Sequence, residues 1–446
     1  MKVSVLGCGY LGAVHAASMA ELGHEVVGLD VDQAKIDLLA QGESPFHEPG
    51  FPEILKRNVD AGRVTFTTDP TLIADADIHF IGVGTPQAQG RYAADVSYVD
   101  AAVGTIIDQV PDDRAEPALI AGKSTVPVGT AQRIAERVKA SGKNIIVLWN
   151  PEFLREGFAV KDTLEPDRIV YGLSDDVAVG EKARDMLDEC YRKILDAGVP
   201  RLLANYPTAE LVKVAANSFL ATKISFINAM AEMCDATGAD VTRLAEAIGH
   251  DDRIGKKFLR AGIGFGGGCL PKDIRAFMAR AGELGVDQAL TFLREVDAIN
   301  MRRRQHAVQL VTDLVGPRLV GHRIAVLGAA FKPDSDDLRD SPALDIALTL
   351  WSRGADVVIH DPEAGEKLRQ QRPDLEVVDT IEEALTGAEV TMLLTEWKQF
   401  REMDPVAAKK RVKSPVIVDG RNVLDPKTWT DAGWDYHGIG RGVSQW

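Results

Sequence analysis

The chain has 446 residues, 45% of them apolar, which exceeds what one hydrophobic core organises and implies two or three domains. Its 51 basic and 66 acidic residues leave a net charge of -15, the wrong sign for an electrostatic nucleic-acid binder or for docking on an anionic membrane. Cys8, Cys190, Cys234 and Cys269 lack Cys-x-x-Cys spacing and the nine histidines form no cluster, so neither a disulfide framework nor a metal site is expected, and a reducing cytoplasm fits.

A strand-like run, Val3 to Leu6, begins almost at the first residue, leaving no room for a secretory leader, and the apolar runs are too short to span a membrane. Further runs at Glu25 to Leu29, Ile78 to Val83, Ala118 to Gly122 and Asn144 to Leu148 alternate with helical patterns, which predicts parallel strands joined by crossover helices. From Thr208 to Thr237 the chain lacks Pro and Gly and keeps apolar residues at helical spacing, the pattern of a helix about 45 Å long. The alternation restarts with Arg323 to Leu327, a helix from about Pro342 to Arg353, and strands at Asp356 to His360, Val390 to Leu394 and Val416 to Asp419. The expected fold is α/β: two Rossmann-like, doubly wound domains joined by a long central helix and a helical segment. The boundaries fall at 1–205, 206–300 and 301–446. Arg302, Arg303 and Arg304 read as a solvated or interface helix face.

Gly7-Cys8-Gly9-Tyr10-Leu11-Gly12 directly follows the first strand and opens the helical run Ala13 to Leu22. Gly7 permits the tight turn, Gly9 lets a pyrophosphate approach backbone N–H groups, and Gly12 lets helix and strand pack closely, while the helix N-terminus favours negative charge. Tyr10 and Leu11 fall inside this cofactor loop. Asp30 lies 18 residues beyond Gly12, at the end of the second strand, where a carboxylate binds the adenosine ribose hydroxyls and repels a 2'-phosphate. NAD is therefore expected as the cofactor, with Lys35 near the ribose. Two further strand ends, Gly82-Val83-Gly84-Thr85-Pro86 and Lys123-Ser124-Thr125-Val126-Pro127, bring Thr85 and Thr125 to the nicotinamide side.

In Gly264-Phe265-Gly266-Gly267-Gly268-Cys269-Leu270-Pro271-Lys272-Asp273 a glycine run ends at Cys, and Pro is favoured in the first turn of a helix. Cys269 is then expected at a helix N-terminus, where unpaired N–H groups and the dipole stabilise a thiolate. Asp273 falls one turn further on the same face. The other three cysteines read as buried packing.

With these motifs the chain resembles the UDP-glucose/GDP-mannose dehydrogenase family over nearly its whole length. The resemblance also rests on Asn150-Pro151-Glu152-Phe153-Leu154-Arg155-Glu156-Gly157, the Lys213/Asn217 pair, Phe331-Lys332-Pro333-Asp334 and Asp336-Asp337-Leu338-Arg339. One departure is Gly268, where the family often carries Ser. The resemblance implies an NAD-dependent oxidation of a nucleotide sugar, UDP-glucose foremost, by a homodimer. Lys213 and Asn217, at i and i+4 on one helix, are implied as donors to oxygen in the tetrahedral states. Asp273 is implied to position or deprotonate water and the reacting hydroxyl, with Glu156 or Glu152 as other bases and Thr125 helping to hold the water. Glu156 and Lys272 also count as cofactor contacts. The implied substrate contacts are Glu152, Phe153, Leu154, Gly266, Phe258 and Arg253, the last reaching from a neighbouring subunit. The second βαβ unit lacks the dinucleotide glycine spacing at Gly328-Ala329-Ala330-Phe331 and is implied to hold the uridine diphosphate, with Lys332 and Arg421 as cationic contacts.

The chemistry explains the cysteine. One hydride transfer makes an aldehyde, which has no second alcoholic hydride to give; thiolate addition makes a thiohemiacetal that has one, and a thioester follows that water cleaves. GDP-mannose or UDP-N-acetylmannosamine would undergo the same chemistry, and a catalytically silent sugar-nucleotide sensor is the reading from another class. The intact set Cys269, Lys213, Asn217 and Asp273 speaks against the sensor.

Overall fold

The computed structural model describes residues 1–442; the last four residues of the expected third domain, 443–446, lie outside them. Internal contacts part the chain into two units, Met1–Ala216 with Arg275–Gly285, and Asn217–Ile274 with Val286 onwards.

The first unit carries strands β1 (Lys2–Leu6), β2 (Glu25–Leu29), β3 (Val64–Thr67), β4 (Ile78–Ile81), β5 (Ala118–Gly122), β6 (Ile145–Trp149), β7 (Ile169–Leu173) and β8 (Arg201–Asn205). Among the described residues they form one sheet in the order β3-β2-β1-β4-β5-β6-β7-β8. The central strands β4 and β5 are buried along their whole length because helices cover both faces, whereas the edge strands β3 and β8 keep exposed positions. One join departs from the all-parallel expectation: β6 and β7 run antiparallel through the single pair Trp149 and Gly172. The Trp149 ring lies where a side chain on Gly122 would stand, 2.2 Å from an added Cβ, so the glycine makes room for the indole.

The second unit carries β9 (Arg323–Leu327), β10 (Asp356–His360), β11 (Glu376–Val378), β12 (Val390–Leu393), β13 (Val416–Asp419) and β14 (Asp435–Gly438), all parallel in the order β11-β10-β9-β12-β13-β14. This is the same 3-2-1-4-5-6 winding as the first six strands of the other sheet, the doubly wound dinucleotide-fold order. The helix read from Thr208 runs Tyr206–Thr237, with Pro207 in its first turn, where the missing N–H costs nothing.

The triple-arginine reading needs correction. Arg302 is half-exposed, but Arg303 and Arg304 are buried on helix Phe292–Val315. Arg303 approaches Glu232 at 3.5 Å, and Arg304 donates to the Asp340 carboxylate at 2.7 Å. Three consecutive residues span about 200° of a helix and so cannot share one narrow solvated face; here two of them face the core and take acidic or carbonyl partners there.

Candidate functional site

In the first unit β1 is followed directly by Gly7, whose φ of +90° turns the chain sharply. A Cβ on Gly7 would meet Val83 Cα at 2.7 Å, and one on Gly12 would meet the Gly7 carbonyl oxygen at 1.8 Å. Gly9 differs, with nothing within 4 Å of an added Cβ. It caps helix Tyr10–Glu21 without any side-chain bond to the first-turn amides. The loop is therefore packed tight at Gly7 and Gly12 and open at Gly9, on the side where helix N–H groups point. That is the cradle a pyrophosphate needs.

Asp30 stands directly after β2. Its Oδ2 accepts from Cys8 N at 2.7 Å and from Lys35 Nζ at 3.2 Å, so Lys35 lies at the acid rather than in solvent. These residues fit NAD: tight glycines, an open helix end and a carboxylate directly after β2, where a ribose would be held. Thr85 Oγ1 donates to the Thr125 carbonyl oxygen at 2.7 Å, joining the two strand ends expected at the nicotinamide.

The loop after β6 is organised by Lys123, a residue quoted in its motif but given no role by sequence reasoning. Its ammonium is buried, donates to Asn150 Oδ1 at 3.0 Å and pairs with Glu152 Oε2 at 3.2 Å. The other Glu152 oxygen accepts from Phe153 N at 2.6 Å and Leu154 N at 2.8 Å. Glu152 is thus locked by a buried cation and its own loop. The Phe153 ring lies under the Arg168 guanidinium at 4.1 Å and is approached by Lys213 Nζ at 5.6 Å. Lys213 is itself buried.

Glu48 escaped the sequence reading altogether. Its buried carboxylate accepts from Gly157 N at 2.6 Å, from Ala159 N at 2.7 Å and, in a short bond, from the Tyr10 hydroxyl. The residue after Glu156 is thereby tied to the glycine loop through the Tyr10 hydroxyl. A buried acid followed by Pro-Gly is the only local signal that could have flagged Glu48.

In the second unit Cys269 immediately precedes helix Leu270–Glu283, and its carbonyl oxygen accepts the helical bond from Asp273 N at 3.0 Å. It is an exposed thiol outside any disulfide, whereas Cys8, Cys190 and Cys234 are buried. Burial pushes the Cys190 thiol up to about 12, an inert group by comparison. Asp273 is buried and receives two donors, Asn217 Nδ2 on Oδ2 and Lys272 Nζ on Oδ1, both at 2.6 Å.

The glycine run before the thiol is pinned along its length. Asn300, fully buried, accepts from Phe265 N at 2.7 Å and donates to Phe265 O at 2.9 Å. Gly267 N donates to Arg339 O at 3.0 Å. Arg421 spends its guanidinium here: NH1 donates to Gly264 O at 3.0 Å, NH2 to Phe331 O at 3.2 Å and Nε to Leu394 O at 2.7 Å. Gly266 has Asp340 O where its Cβ would stand, at 2.2 Å. Lys332 Nζ lies 5.3 Å from the Phe331 ring centre. Arg253 chelates Asp251 at the surface, and Phe258 is exposed with a φ of 64°.

The second sheet also shows why it does not repeat the first unit's cofactor site. Asp361, directly after β10, is buried, and its Oδ2 takes Ala329 N at 2.7 Å and Ala330 N at 2.9 Å. Asp30 likewise takes the Cys8 amide in the first unit, so the difference lies in the helix, which here starts only at Pro342 and leaves no helix N-terminus directly after the turn.

Comparison with known proteins adds independent findings. Models of the UDP-glucose/GDP-mannose dehydrogenase family match in order: the NAD binding domain over residues 1–195, the central domain over 207–302 and the UDP binding domain over 325–426. The chain is 40% identical over 448 residues to UDP-glucose 6-dehydrogenase TuaD of Bacillus subtilis, covering 99% of this chain and 93% of the relative. It is 39% identical to the UDP-glucose 6-dehydrogenase of Rhizobium meliloti, covering 99% of this chain and all of the relative. A solved UDP-glucose dehydrogenase from the hyperthermophilic archaeon Pyrobaculum islandicum superposes with a TM-score of 0.89 at 38% identity, over 98% of this chain and 97% of that one.

Proposed function

This chain belongs to the UDP-glucose/GDP-mannose dehydrogenase family, and we propose that it oxidises UDP-glucose to UDP-glucuronate as an NAD-dependent UDP-glucose 6-dehydrogenase. The observation that carries the chemistry is the exposed Cys269 at the head of helix Leu270–Glu283, with buried Asp273 one turn on. NAD, when bound, accepts the hydride of each of the two oxidations.

The chain's own residues supply the rest. The 6-hydroxyl loses its proton towards a carboxylate, for which Asp273 is assigned. The Cys269 thiolate adds to the aldehyde carbon, forming a C–S bond and an oxyanion. Lys213 and Asn217 are assigned as donors to that oxygen, a role worth about 100- to 1000-fold per donor. After the second oxidation the thioester is cleaved by water, whose oxygen forms the new C–O bond as the thiol leaves with a proton. Asp273, Glu152 and Glu156 are the carboxylates assigned to take the water proton, with Thr125 helping to hold the water.

The first segment of the three-part organisation is assigned to NAD, the central segment to Cys269, and the last to the uridine diphosphate, with Lys332 and Arg421 as its cations. A cytoplasmic homodimer is part of the reading. Phe219, Phe226 and Met233 are exposed at seven-residue spacing on the long helix, an apolar stripe of the kind a second helix covers. Among the described residues no helix is long and apolar enough to cross a membrane. Sedimentation returning the mass of one chain would refute the dimer.

The deciding experiment is a turnover assay with UDP-glucose, GDP-mannose and UDP-N-acetylmannosamine in parallel. UDP-glucose should be preferred and give two NADH per sugar, and Cys269→Ala should make no uronate. One NADH per sugar, or uronate from the alanine variant, overturns the thioester route.

A further inference from the structure

The loop that delivers Cys269 lies against a cation to which neither the motif reading nor the mechanism above assigns a task. A Cβ built on Gly268 would meet Arg339 Cζ at 2.4 Å and both terminal nitrogens at 2.6 Å. Near-equal distances to the three atoms mean that the guanidinium lies flat over the Gly268 backbone, its face towards the α-carbon. Arg339 is held in that pose from two sides. Its Nε and NH2 form a forked pair with the Asp337 carboxylate at 2.6 to 3.0 Å, and its carbonyl oxygen accepts from Gly267 N at 3.0 Å. Backbone and side chain of one residue thus grip the two glycines before the nucleophile.

The consequence is electrostatic. A Cβ stands about 1.5 Å from its Cα, so Cζ lies within about 4 Å of the Gly268 α-carbon, and the Cys269 α-carbon is about 3.8 Å further along the chain. Arginine keeps its charge at every pH at which a thiol titrates. Asp337 offsets part of this charge and water screens the Arg339 side chain, which is 65% exposed, yet a guanidinium held at this range still favours the thiolate over the thiol, adding to the helix N-terminus. Only glycine at 268 admits the flat guanidinium, because any side chain would occupy the same space. A serine at 268 is therefore incompatible with this pose.

We propose that Arg339, seated on Gly268, is a positioning and thiolate-stabilising residue for Cys269, and that glycine at 268 is the feature that seats it. The proposal rests on Cys269 being the nucleophile, as read above.

The test is the pH dependence of Cys269 alkylation by iodoacetamide, followed on the Cys269 peptide by mass spectrometry at low ionic strength, without any substrate. Arg339→Met should raise the midpoint by roughly half a pH unit, slowing alkylation at pH 7 about threefold. Arg339→Lys should restore most of the rate, and added salt should shrink the difference between wild type and Arg339→Met. Gly268→Ser should match Arg339→Met, and the double variant should be no slower than either single one. A midpoint unmoved in Arg339→Met, a salt-independent difference, or additive effects in the double variant would each overturn the proposal; the lysine variant guards against mistaking misfolding for loss of charge. If the midpoint moves as expected but Cys269→Ala still forms uronate, the coupling stands and the assignment of Cys269 as nucleophile falls.

Discussion

Asn217 Nδ2 donates to Asp273 Oδ2 at 2.6 Å, and both side chains are buried. Lys272 supplies the second oxygen of the same carboxylate. Asp273 is thereby oriented from both sides on the first turn behind the thiol, which suits a group that must handle one proton at a defined atom.

Asp273→Asn keeps the shape but turns one acceptor into a donor facing Asn217 or Lys272. Steady-state kcat should fall by about 100- to 1000-fold while Cys269 remains alkylatable. A kcat within tenfold of wild type would remove Asp273 from the proton-handling role.

Gly9 and Gly12 should separate ligand binding from folding. An alanine at 9 meets no protein atom within 4 Å, whereas one at 12 runs into the Gly7 carbonyl oxygen. Gly9→Ala should leave Tm within about 2 °C of wild type while weakening NAD binding at least tenfold by calorimetry, since the methyl stands where the pyrophosphate approaches. Gly12→Ala should lower Tm by several degrees before any ligand is added. Equal Tm losses in the two variants would contradict this division.

His79 makes stability depend on acid. The ring is fully buried on β4 with Ser4 Oγ 2.7 Å from Nδ1, and burial, helped by Arg114, pushes its imidazole from 6.5 down to about 3. His15, buried against the Phe80 ring, is shifted the same way by burial and by Lys123. Between pH 6.5 and about 3 the unfolded chain holds the proton that folded His79 refuses. Its contribution is thus complete above about pH 6.5 and is lost as pH falls towards 3, at about 1.4 kcal/mol per pH unit. Urea midpoints at pH 7, 6 and 5 should fall less steeply for His79→Asn than for wild type. Identical slopes would show that another group dominates the acid limb.

Much of the cofactor side was legible from sequence because it is local. β1, the Gly7 to Gly12 loop, helix Tyr10–Glu21, β2 and Asp30 follow one another within the first 30 residues, and tight turns, helix starts and strand alternation are dictated by neighbours in the chain. Cys269 ahead of its helix was legible for the same reason, from a glycine run and Pro271. Periodicity did not reveal β7 and β8, nor the antiparallel pair of Trp149 and Gly172, because short strands at a sheet's far edge carry no signal of pairing direction.

Only the tertiary structure decided how the charged groups are compensated. Lys123 meets Glu152, Glu48 clamps Gly157 and Tyr10, and Arg303 and Arg304 turn inward to acids and carbonyls. Arg339, 71 residues beyond Gly268, comes to lie on the backbone beside the nucleophile. Sequence determined which residues could do chemistry, since turn, cap and period are short-range properties. Folding determined which charge stands beside which, since a buried ion is tolerable only next to a partner, and that partner is set by packing rather than by distance along the chain.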